Sequence, residues 1–199
     1  MTLVAKRRED YRAPEFTITD IALDFTLDPS ATKVVSELKV KRQGAANAPL
    51  KLDGEHMQLL EVAIDDLPFG DYEQTDSGLV LNNVPDAFTL RIVTQVNPSE
   101  NKALEGLYLS NGVYCTQCEA EGFRRITYYL DRPDVLARFT VKITGDKASL
   151  PTMLANGNPI EQGSNTDGTH WILWQDPFPK PSYLFALVAG SFDQLTDTF

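Results

Sequence analysis

Cysteine and histidine are scarce in this sequence. Its 199 residues include two cysteines, Cys115 and Cys118, and two histidines, His56 and His170. Two cysteines cannot build the disulfide framework that stabilises small secreted domains, so the sequence falls outside that class. A structural zinc site needs about four ligands, and these four residues lie too far apart along the chain to predict one. We therefore expect this chain to bind no metal.

Cys115 and Cys118 have the CxxC spacing of zinc knuckles and thiol oxidoreductases. A redox-active pair requires a thiolate stabilised by a helix N-terminus or by nearby cations. Glu119 and Glu121 follow instead, and their negative charge raises the pKa of a neighbouring thiol. The sequence therefore favours buried, structural cysteines over a reactive pair.

Long apolar runs are also missing. The longest, Tyr183–Gly190, is too short to span a bilayer. Met1–Ala5 is too short for the apolar part of a signal peptide, and charged residues follow it. These features predict a cytoplasmic protein with no membrane partner.

Basic residues are outnumbered, with 18 Lys and Arg against 28 Asp and Glu and a net charge of −10. Nucleic-acid binding depends on clustered Lys and Arg that neutralise phosphates. The densest basic groups, Lys6–Arg8 and Lys39–Arg42, are diluted by acidic residues. The composition therefore argues against a nucleic-acid partner, and an acidic surface suits cationic ligands.

Alternating apolar and polar residues predict β-strands along most of the chain. Residues 20–27 and 34–41 each place apolar side chains on one face, and the turn residues Asp28–Ser30 separate them, which predicts a hairpin. Further on, Tyr183–Ala189 is apolar on both faces and is predicted as a central strand. Helix is predicted for about one turn from Pro133.

These patterns predict an all-β fold class, a saddle-like β-sandwich with antiparallel or mixed sheets and very little helix. Residues 1–199 are expected to form a single domain. Leu60, Val62 and Ile64 supply a further alternating segment. Trp174–Tyr183 has three prolines at alternate positions and is predicted as a rigid connector or an edge, because proline cannot donate to a β-ladder.

No complete catalytic motif is present. His56 and His170 have no neighbouring Ser, Cys or HExxH pattern, and no glycine-rich phosphate loop occurs. Both histidines are therefore predicted at strand ends or on the surface. No residue of this chain is expected to be catalytic.

Gln117, Glu119 and Glu121 form a polar cluster that strand periodicity does not explain. In an extended segment their side chains would share one face. One interpretation is a solvated acidic edge, or an ion pair between Glu121 and Arg124 or Arg125. The other is a site for a cationic group such as the free amine of a peptide, whose pKa near ~8 leaves it largely protonated at neutral pH.

Several longer strings resemble a known family. The strings Asp10–Pro14, Leu104–Tyr108, Cys115–Arg138 and Gln175–Pro181 are similar to the N-terminal domain of bacterial aminopeptidases N, zinc aminopeptidases of the thermolysin-like (gluzincin) class. The similarity extends over almost all 199 residues. Leu130–Pro133 stands where the wider family has a Phe-Asp-x-Pro turn.

The resemblance implies roles for the polar cluster. It implies that Glu119 binds the α-amine of a peptide substrate, that Gln117 contacts substrate beside it, and that Glu121 ranks second because it matches the family pattern less well. The HExxH zinc site of the family is absent from these residues and lies on the domain that follows. The chain therefore resembles a first domain that ends at its boundary, near Phe199.

Two functions follow as expectations. The first is the N-terminal domain of a zinc-dependent aminopeptidase, active on peptides with a free N-terminus when joined to its catalytic domain and inactive alone. Zinc would then belong to the full-length enzyme. The alternative is a non-catalytic β-sandwich that serves as a protein-interaction module.

Overall fold

β-Strands dominate the molecule. The computed structural model describes residues 7–197, so the predictions that concern Met1–Ala5, Lys6 and Phe199 lie outside the described residues. Strands account for 53% of residues and helices for 5%, which confirms the all-β prediction with mixed sheets and very little helix. No helix among residues 7–197 combines the length and the hydropathy that a bilayer crossing needs.

The strands and three short 3-10 helices (η) follow one another along residues 7–197. In chain order they are η1 (Arg8–Asp10), β1 (Phe16–Thr26), β2 (Thr32–Arg42), β3 (Leu50–Asp53), β4 (Gln58–Ile64), β5 (Leu67–Pro68), β6 (Tyr72–Thr75), β7 (Gly78–Leu81), β8 (Ala87–Val96), β9 (Gly106–Ser110), β10 (Val113–Gln117), η2 (Phe123–Arg125), β11 (Ala137–Asp146), β12 (Thr152–Ala155), β13 (Asn158–Ser164), β14 (Thr169–Lys180), η3 (Ser182–Leu184) and β15 (Leu187–Gly190).

The strands form three sheets. The largest has eight strands in the order β13-β14-β11-β1-β2-β8-β4-β5, a second has four in the order β12-β15-β10-β9, and a third has three in the order β3-β7-β6. Within the large sheet β1 and β11 run parallel, while the neighbouring pairs are antiparallel. The large sheet is therefore mixed, and β10, which ends at Gln117 of the polar cluster, lies inside the second sheet.

The first hairpin forms as predicted. β1 and β2 pair antiparallel, with Ile21 opposite Leu38. Both side chains are buried, at 2% and 0% exposure, because alternate residues of each strand face the core. Ser36 also faces the core, where its hydroxyl bonds Thr127 Oγ1 at 2.8 Å and so satisfies both buried groups.

Aromatic side chains fill the core beneath the polar cluster. The Phe123 ring is fully buried and meets the rings of Tyr129, Phe139 and Phe185 edge-on, with centroids 5.0, 6.0 and 5.3 Å away. Edge-to-face packing at these distances is a favourable arrangement of aromatic quadrupoles. Phe123, two residues after Glu121, is therefore firmly anchored in the core.

The helical turn predicted from Pro133 is wrong. Pro133 and Asp134 form a turn, and Ala137 already begins β11, which pairs with β1 on one side and β14 on the other. Pairing with two strands satisfies backbone groups over ten residues, which outweighs a weak local helix preference. The buried side chain of Val135 leads the chain into that strand.

The proline-rich segment is part of a strand, so the connector prediction is wrong, whereas its prolines lie at an edge, the other alternative predicted. β14 continues through Pro177 and Pro179 to Lys180 and pairs with β11 up to Asp176 and again at Lys180, with an irregularity between these two positions. Its other neighbour, β13, reaches only as far as Gln175. The two prolines therefore lie in the stretch of β14 that has no registered partner on either side, where no ladder hydrogen bond requires an N–H.

The predicted central strand Tyr183–Ala189 is correct only in its second half. η3 occupies Ser182–Leu184, and β15 begins at Leu187 and lies between β12 and β10. The Ser182 hydroxyl donates to Asp131 Oδ1 at 2.6 Å, and Phe185 N–H closes the turn on the Ser182 carbonyl. These local bonds replace the strand pairing that apolar composition alone suggests.

Two leucines of the large sheet offer a matched test of the core. Leu38 is 0% exposed, whereas Leu60, predicted to alternate inward, is 46% exposed beside a register shift between Leu59 and Glu61. Leu38→Ala should lower the free energy of unfolding by about 2–5 kcal/mol, because it removes buried methyl groups and leaves a cavity. Leu60→Ala should change it by less than about 0.5 kcal/mol. Urea unfolding followed by tryptophan fluorescence measures both, and equal losses would contradict the assigned register.

Candidate functional site

The polar cluster lies where β10 leaves its sheet. Gln117 is the last residue of β10, and the backbone then turns from Glu119 to Gly122. The extended geometry that would place Gln117, Glu119 and Glu121 on one face therefore does not hold. The three residues share a neighbourhood because of the turn and not because of strand alternation.

Two buried residues hold this turn. Cys118 precedes it at 2% exposure and Phe123 follows it at 0%. Gly122 N–H donates to the Cys118 carbonyl at 2.9 Å and closes the loop. A Cβ on Gly122 would lie 2.2 Å from the carbonyl oxygen of Gln117. Glycine is needed here because the backbone folds back onto β10.

Glu119 and Gln117 are both exposed at the surface of the turn. The Gln117 side-chain amide donates from Nε2 to the Glu119 carbonyl at 3.1 Å. Among residues 7–197, no Lys, Arg or His lies within salt-bridge distance of the Glu119 carboxylate. The carboxylate can therefore accept hydrogen bonds from a cationic ligand.

Glu121 differs from Glu119. Its Oε2 lies 3.5 Å from Arg124 NH1, so the interpretation that Glu121 pairs with a neighbouring arginine is confirmed for Arg124. Any ligand that binds Glu121 has to compete with this guanidinium.

Arg124 joins the turn to the interior. Its Nε and backbone N–H both donate to Asp131 Oδ2, at 3.0 and 3.2 Å, and its NH1 lies 3.9 Å from Asp53 Oδ1. Burial opposes the charge of Arg124, but the hydrogen bond to Asp131 and the nearby carboxylates raise the pKa of the guanidinium. Burial raises the pKa of Asp53, and Arg124 only partly offsets that effect.

A cleft of about 990 Å³ lies beside the turn. Glu121, Arg124 and Asp53 line this cleft, and so does the N-terminal segment, including Tyr11. Glu119 does not line this cleft. Of the residues singled out from sequence, the structure therefore places Glu121 at the cleft and Glu119 and Gln117 on the neighbouring surface.

The N-terminal segment is fastened to the turn that follows Asp131, a contact that sequence reasoning did not predict. Arg132 donates to both Asp134 oxygens, at 2.8 and 2.7 Å, and to the Arg12 carbonyl at 2.8 Å. The Tyr11 hydroxyl donates to Asp134 Oδ2 at 3.0 Å. Two strings that carry the family resemblance, around Tyr11 and around Arg132, thus meet in space.

The cysteines and histidines occupy structural positions. Cys115 is half-buried and Cys118 buried, both with free thiols, and burial raises the pKa of the Cys118 thiol far above its usual range. His56 is exposed and His170 lies near the start of β14, where Nε2 is 2.8 Å from the Leu150 carbonyl oxygen. These positions agree with the surface and strand-end prediction.

Known proteins resemble the chain along its whole length. Residues 16–184 match the family model described as the peptidase M1 N-terminal domain. Aminopeptidase N of Escherichia coli is 56% identical over 98% of this chain and 22% of that protein. Aminopeptidase N of Haemophilus influenzae is 52% identical over 100% of this chain and 23% of that protein. The chain thus spans less than a quarter of the length of these relatives.

Solved structures share the fold. Legionella pneumophila aminopeptidase A in complex with aspartic acid superposes with a TM-score of 0.87 and 34% identity, over 93% of this chain and 22% of that one. A zinc metallopeptidase of the M1 class from Deinococcus radiodurans superposes with a TM-score of 0.76 over 88% of this chain and 42% of that one. Its 20% identity supports the fold alone.

An all-β domain with a carboxylate-bearing turn at the end of β10 is therefore of the class found at the N-terminus of metallopeptidases. The family match covers the strands from β1 to β14 and η3. The chain belongs to the peptidase M1 N-terminal domain family. This confirms the resemblance inferred from the sequence.

Gly122 and Gly70 give a matched test of the turn. Gly122 has an ordinary right-handed backbone conformation, φ −82° and ψ −19°, which alanine can also adopt. An alanine Cβ would nevertheless clash, because it would lie 2.2 Å from the Gln117 carbonyl oxygen. Gly122→Ala should lower the free energy of unfolding by about 1–3 kcal/mol. A Cβ added at Gly70 would meet no atom within 4 Å, so Gly70→Ala should be neutral or stabilising by up to about 1 kcal/mol. Chemical denaturation checks this, and a tolerated Gly122→Ala would contradict the close approach.

Asp134 gives a pH test of the N-terminal contact. The hydrogen bond from Arg132 is the main cause that lowers the Asp134 pKa below its usual 3.8. The unfolded chain then binds the proton more readily, so this stabilisation is present above pH 3.8 and is lost as the pH falls through the lowered pKa. Asp134→Asn should cost about 1 kcal/mol at pH 7 and flatten the decline of stability in acid. Urea unfolding at pH 7, 4 and 3 measures this, with the exposed turn residue Asp76→Asn as control. If the stability of Asp134→Asn declined with acidification as steeply as that of the parent protein, the role assigned to Asp134 would be contradicted.

Proposed function

We propose that this chain is the first domain of a zinc-dependent aminopeptidase that releases N-terminal amino acids from peptides, and that it supplies the subsite for the substrate α-amine. The observation that carries the proposal is the exposed Glu119 carboxylate, which lies beside Gln117 on a turn anchored at both ends. The high identity to proteins named aminopeptidase N supports the same conclusion.

Glu119 supplies the charge that an amine requires. A peptide α-amine has a pKa near ~8 and is mainly cationic at neutral pH. A charge-assisted hydrogen bond from this ammonium to Glu119 contributes about 1.5–3 kcal/mol when water is excluded. An internal peptide bond carries no such charge. The anchor therefore favours a free N-terminus and sets which bond of the substrate is cleaved.

Gln117 and Glu121 have supporting roles in this proposal. The Gln117 Nε2 already donates to the Glu119 carbonyl, which leaves the side-chain oxygen able to accept from substrate. Glu121 adds negative charge near the site, although its pairing with Arg124 weakens its attraction for the substrate amine.

The proposal assigns zinc to the full-length enzyme and not to the described residues of this domain. Within residues 7–197, no three His, Cys, Asp or Glu side chains come together in a way that would hold a metal ion. In the proposed enzyme the metal and the bond-breaking residues belong to the catalytic domain of the same polypeptide. This domain by itself should bind peptide amines weakly and hydrolyse nothing.

The neighbouring proteins favour this function over a non-catalytic interaction module. The relatives described above are all named as peptidases. The open reading frame beyond Phe199 decides between the two. HExxH with a downstream Glu supports the enzyme, whereas its absence supports the interaction module.

The cellular setting is part of the same proposal. Both cysteines are free, as expected in a reducing compartment such as the cytoplasm. The net charge of −10 disfavours nucleic acid and anionic membrane surfaces as partners. Peptides with a free N-terminus remain the proposed substrates.

Glu119→Gln in the full-length enzyme tests the amine anchor. The substitution keeps the shape of the side chain and removes its charge, so KM for an aminoacyl arylamide should rise about ten- to a hundredfold. Steady-state kinetics measure this, and Glu73→Gln, an exposed glutamate on β6, serves as the control. Discrimination against N-acetylated substrate should weaken in the Glu119 variant and persist in the control. An unaltered KM in Glu119→Gln would overturn the assignment.

A further inference from the structure

Asp131 is a charged residue in the interior. Within residues 7–197, only Asp131 and Lys180 are charged and buried. The Asp131 side chain is 1% exposed, yet both of its oxygens are satisfied. Oδ2 accepts from Arg124 Nε and from the Arg124 N–H, while Oδ1 accepts from the Ser182 hydroxyl at 2.6 Å. Removing a carboxylate from water costs free energy, so its presence here indicates that the structure requires a charged acceptor at this position.

Asp131 caps η2 from a distance. The first N–H groups of a helix have no partner inside the helix and require an acceptor. The residue at the N-cap position is Gly122, which has no side chain and provides no cap. The Asp131 carboxylate instead accepts the Arg124 N–H from seven residues downstream. The start of η2 therefore depends on Asp131.

The start of η2 in turn determines where Glu119 lies. Only residues 119–122 separate the buried Cys118 from the buried Phe123, and Phe123 is the first residue of η2. Gly122 packs against the Gln117 carbonyl, so the loop has little room to adjust. A shift of η2 therefore moves the backbone that carries Glu119.

The same residue joins further segments to this turn. Asp131 N–H donates to Asp53 Oδ2 at 3.1 Å, and the Arg124 NH2 donates to the Asp131 carbonyl at 3.2 Å. Through Ser182 the network also reaches η3. The turn is thus tied to β3 and to the segment before β15.

We propose that Asp131 is a positioning residue for Glu119. Its carboxylate fixes η2 and the preceding turn so that Glu119 meets the substrate amine, and Asp131 itself touches no substrate. The inference rests on the proposed function for its kinetic consequence. Its structural part, the anchoring of the turn, stands independently of any activity.

Hydrogen exchange on this 199-residue chain tests the structural part. In Asp131→Asn, protection of the Arg124 and Gly122 amides should fall about tenfold or more, while amides in the centre of β1 and β2 keep theirs. Asp24→Asn is the matched control, because it removes a carboxylate that pairs with Lys142 outside the turn. Unchanged exchange at Arg124 in Asp131→Asn would overturn the inference.

A double-mutant cycle in the full-length enzyme tests the kinetic part. Asp131→Asn alone should raise KM about tenfold while kcat changes less than about threefold, because substrate binding and not chemistry is affected. In the Glu119→Gln background, Asp131→Asn should add less than about twofold, because the two residues act through one interaction. A general structural defect would instead lower kcat in both backgrounds. Independent, multiplying effects on KM would overturn the inference.

The outcomes separate the two proposals. If Glu119→Gln leaves KM unaltered, the amine anchor fails, and the exchange of Arg124 still reports whether Asp131 holds the turn. If Asp131→Asn does not fold, Ser182→Ala replaces it, because it removes one hydrogen bond and keeps the Arg124 pair. Ser182→Ala should raise KM about threefold with Glu119 present and leave it unchanged with Gln at position 119. Equal effects in both backgrounds would overturn the inference.

Discussion

The ion pair between Arg124 and Asp131 ties an exposed turn to the interior of this domain. Removing two charges from water is costly, and the pair is tolerable because Asp131 also accepts from Ser182 and from backbone N–H. Loss of Arg124 would leave the Asp131 carboxylate buried without its guanidinium partner. The pair therefore restricts which backbone positions are available to the turn more than it adds to stability. In the positioning role proposed for Asp131, the location of the exposed Glu119 carboxylate depends on a buried one.

Much of the sheet structure can be predicted from the sequence, because burial of one face of a strand imposes a repeat of two residues on the apolar side chains. Where a strand has one buried face, apolar residues recur at every second position, and Ile21 and Leu38 obey this in β1 and β2. The polar cluster was also accessible to sequence reasoning, since Gln117 and Glu119 break that alternation at the end of β10. The family resemblance then singled out Glu119 as the residue expected to bind the substrate α-amine.

The parts that sequence reasoning missed depend on contacts that strand alternation does not encode. In the turn after Cys118, Gly122 approaches the Gln117 carbonyl so closely that a side chain would not fit. The helix expected at Pro133 is replaced by a turn that leads into β11, a strand with two neighbours. Asp131 resembles a surface turn residue in sequence, and only the fold reveals it as an interior carboxylate. Tertiary context decides each of these cases.

The prolines of β14 affect whether this domain can associate with other chains through its sheet. Exposed strand margins are templates on which another chain can grow by hydrogen bonding, and this is a common route to aggregation. Beyond the reach of β13, β14 offers such a margin at Asp176–Lys180. Pro177 and Pro179 have no N–H to give to an incoming strand. The domain can therefore keep a long strand at this corner without inviting its own copies to join the sheet.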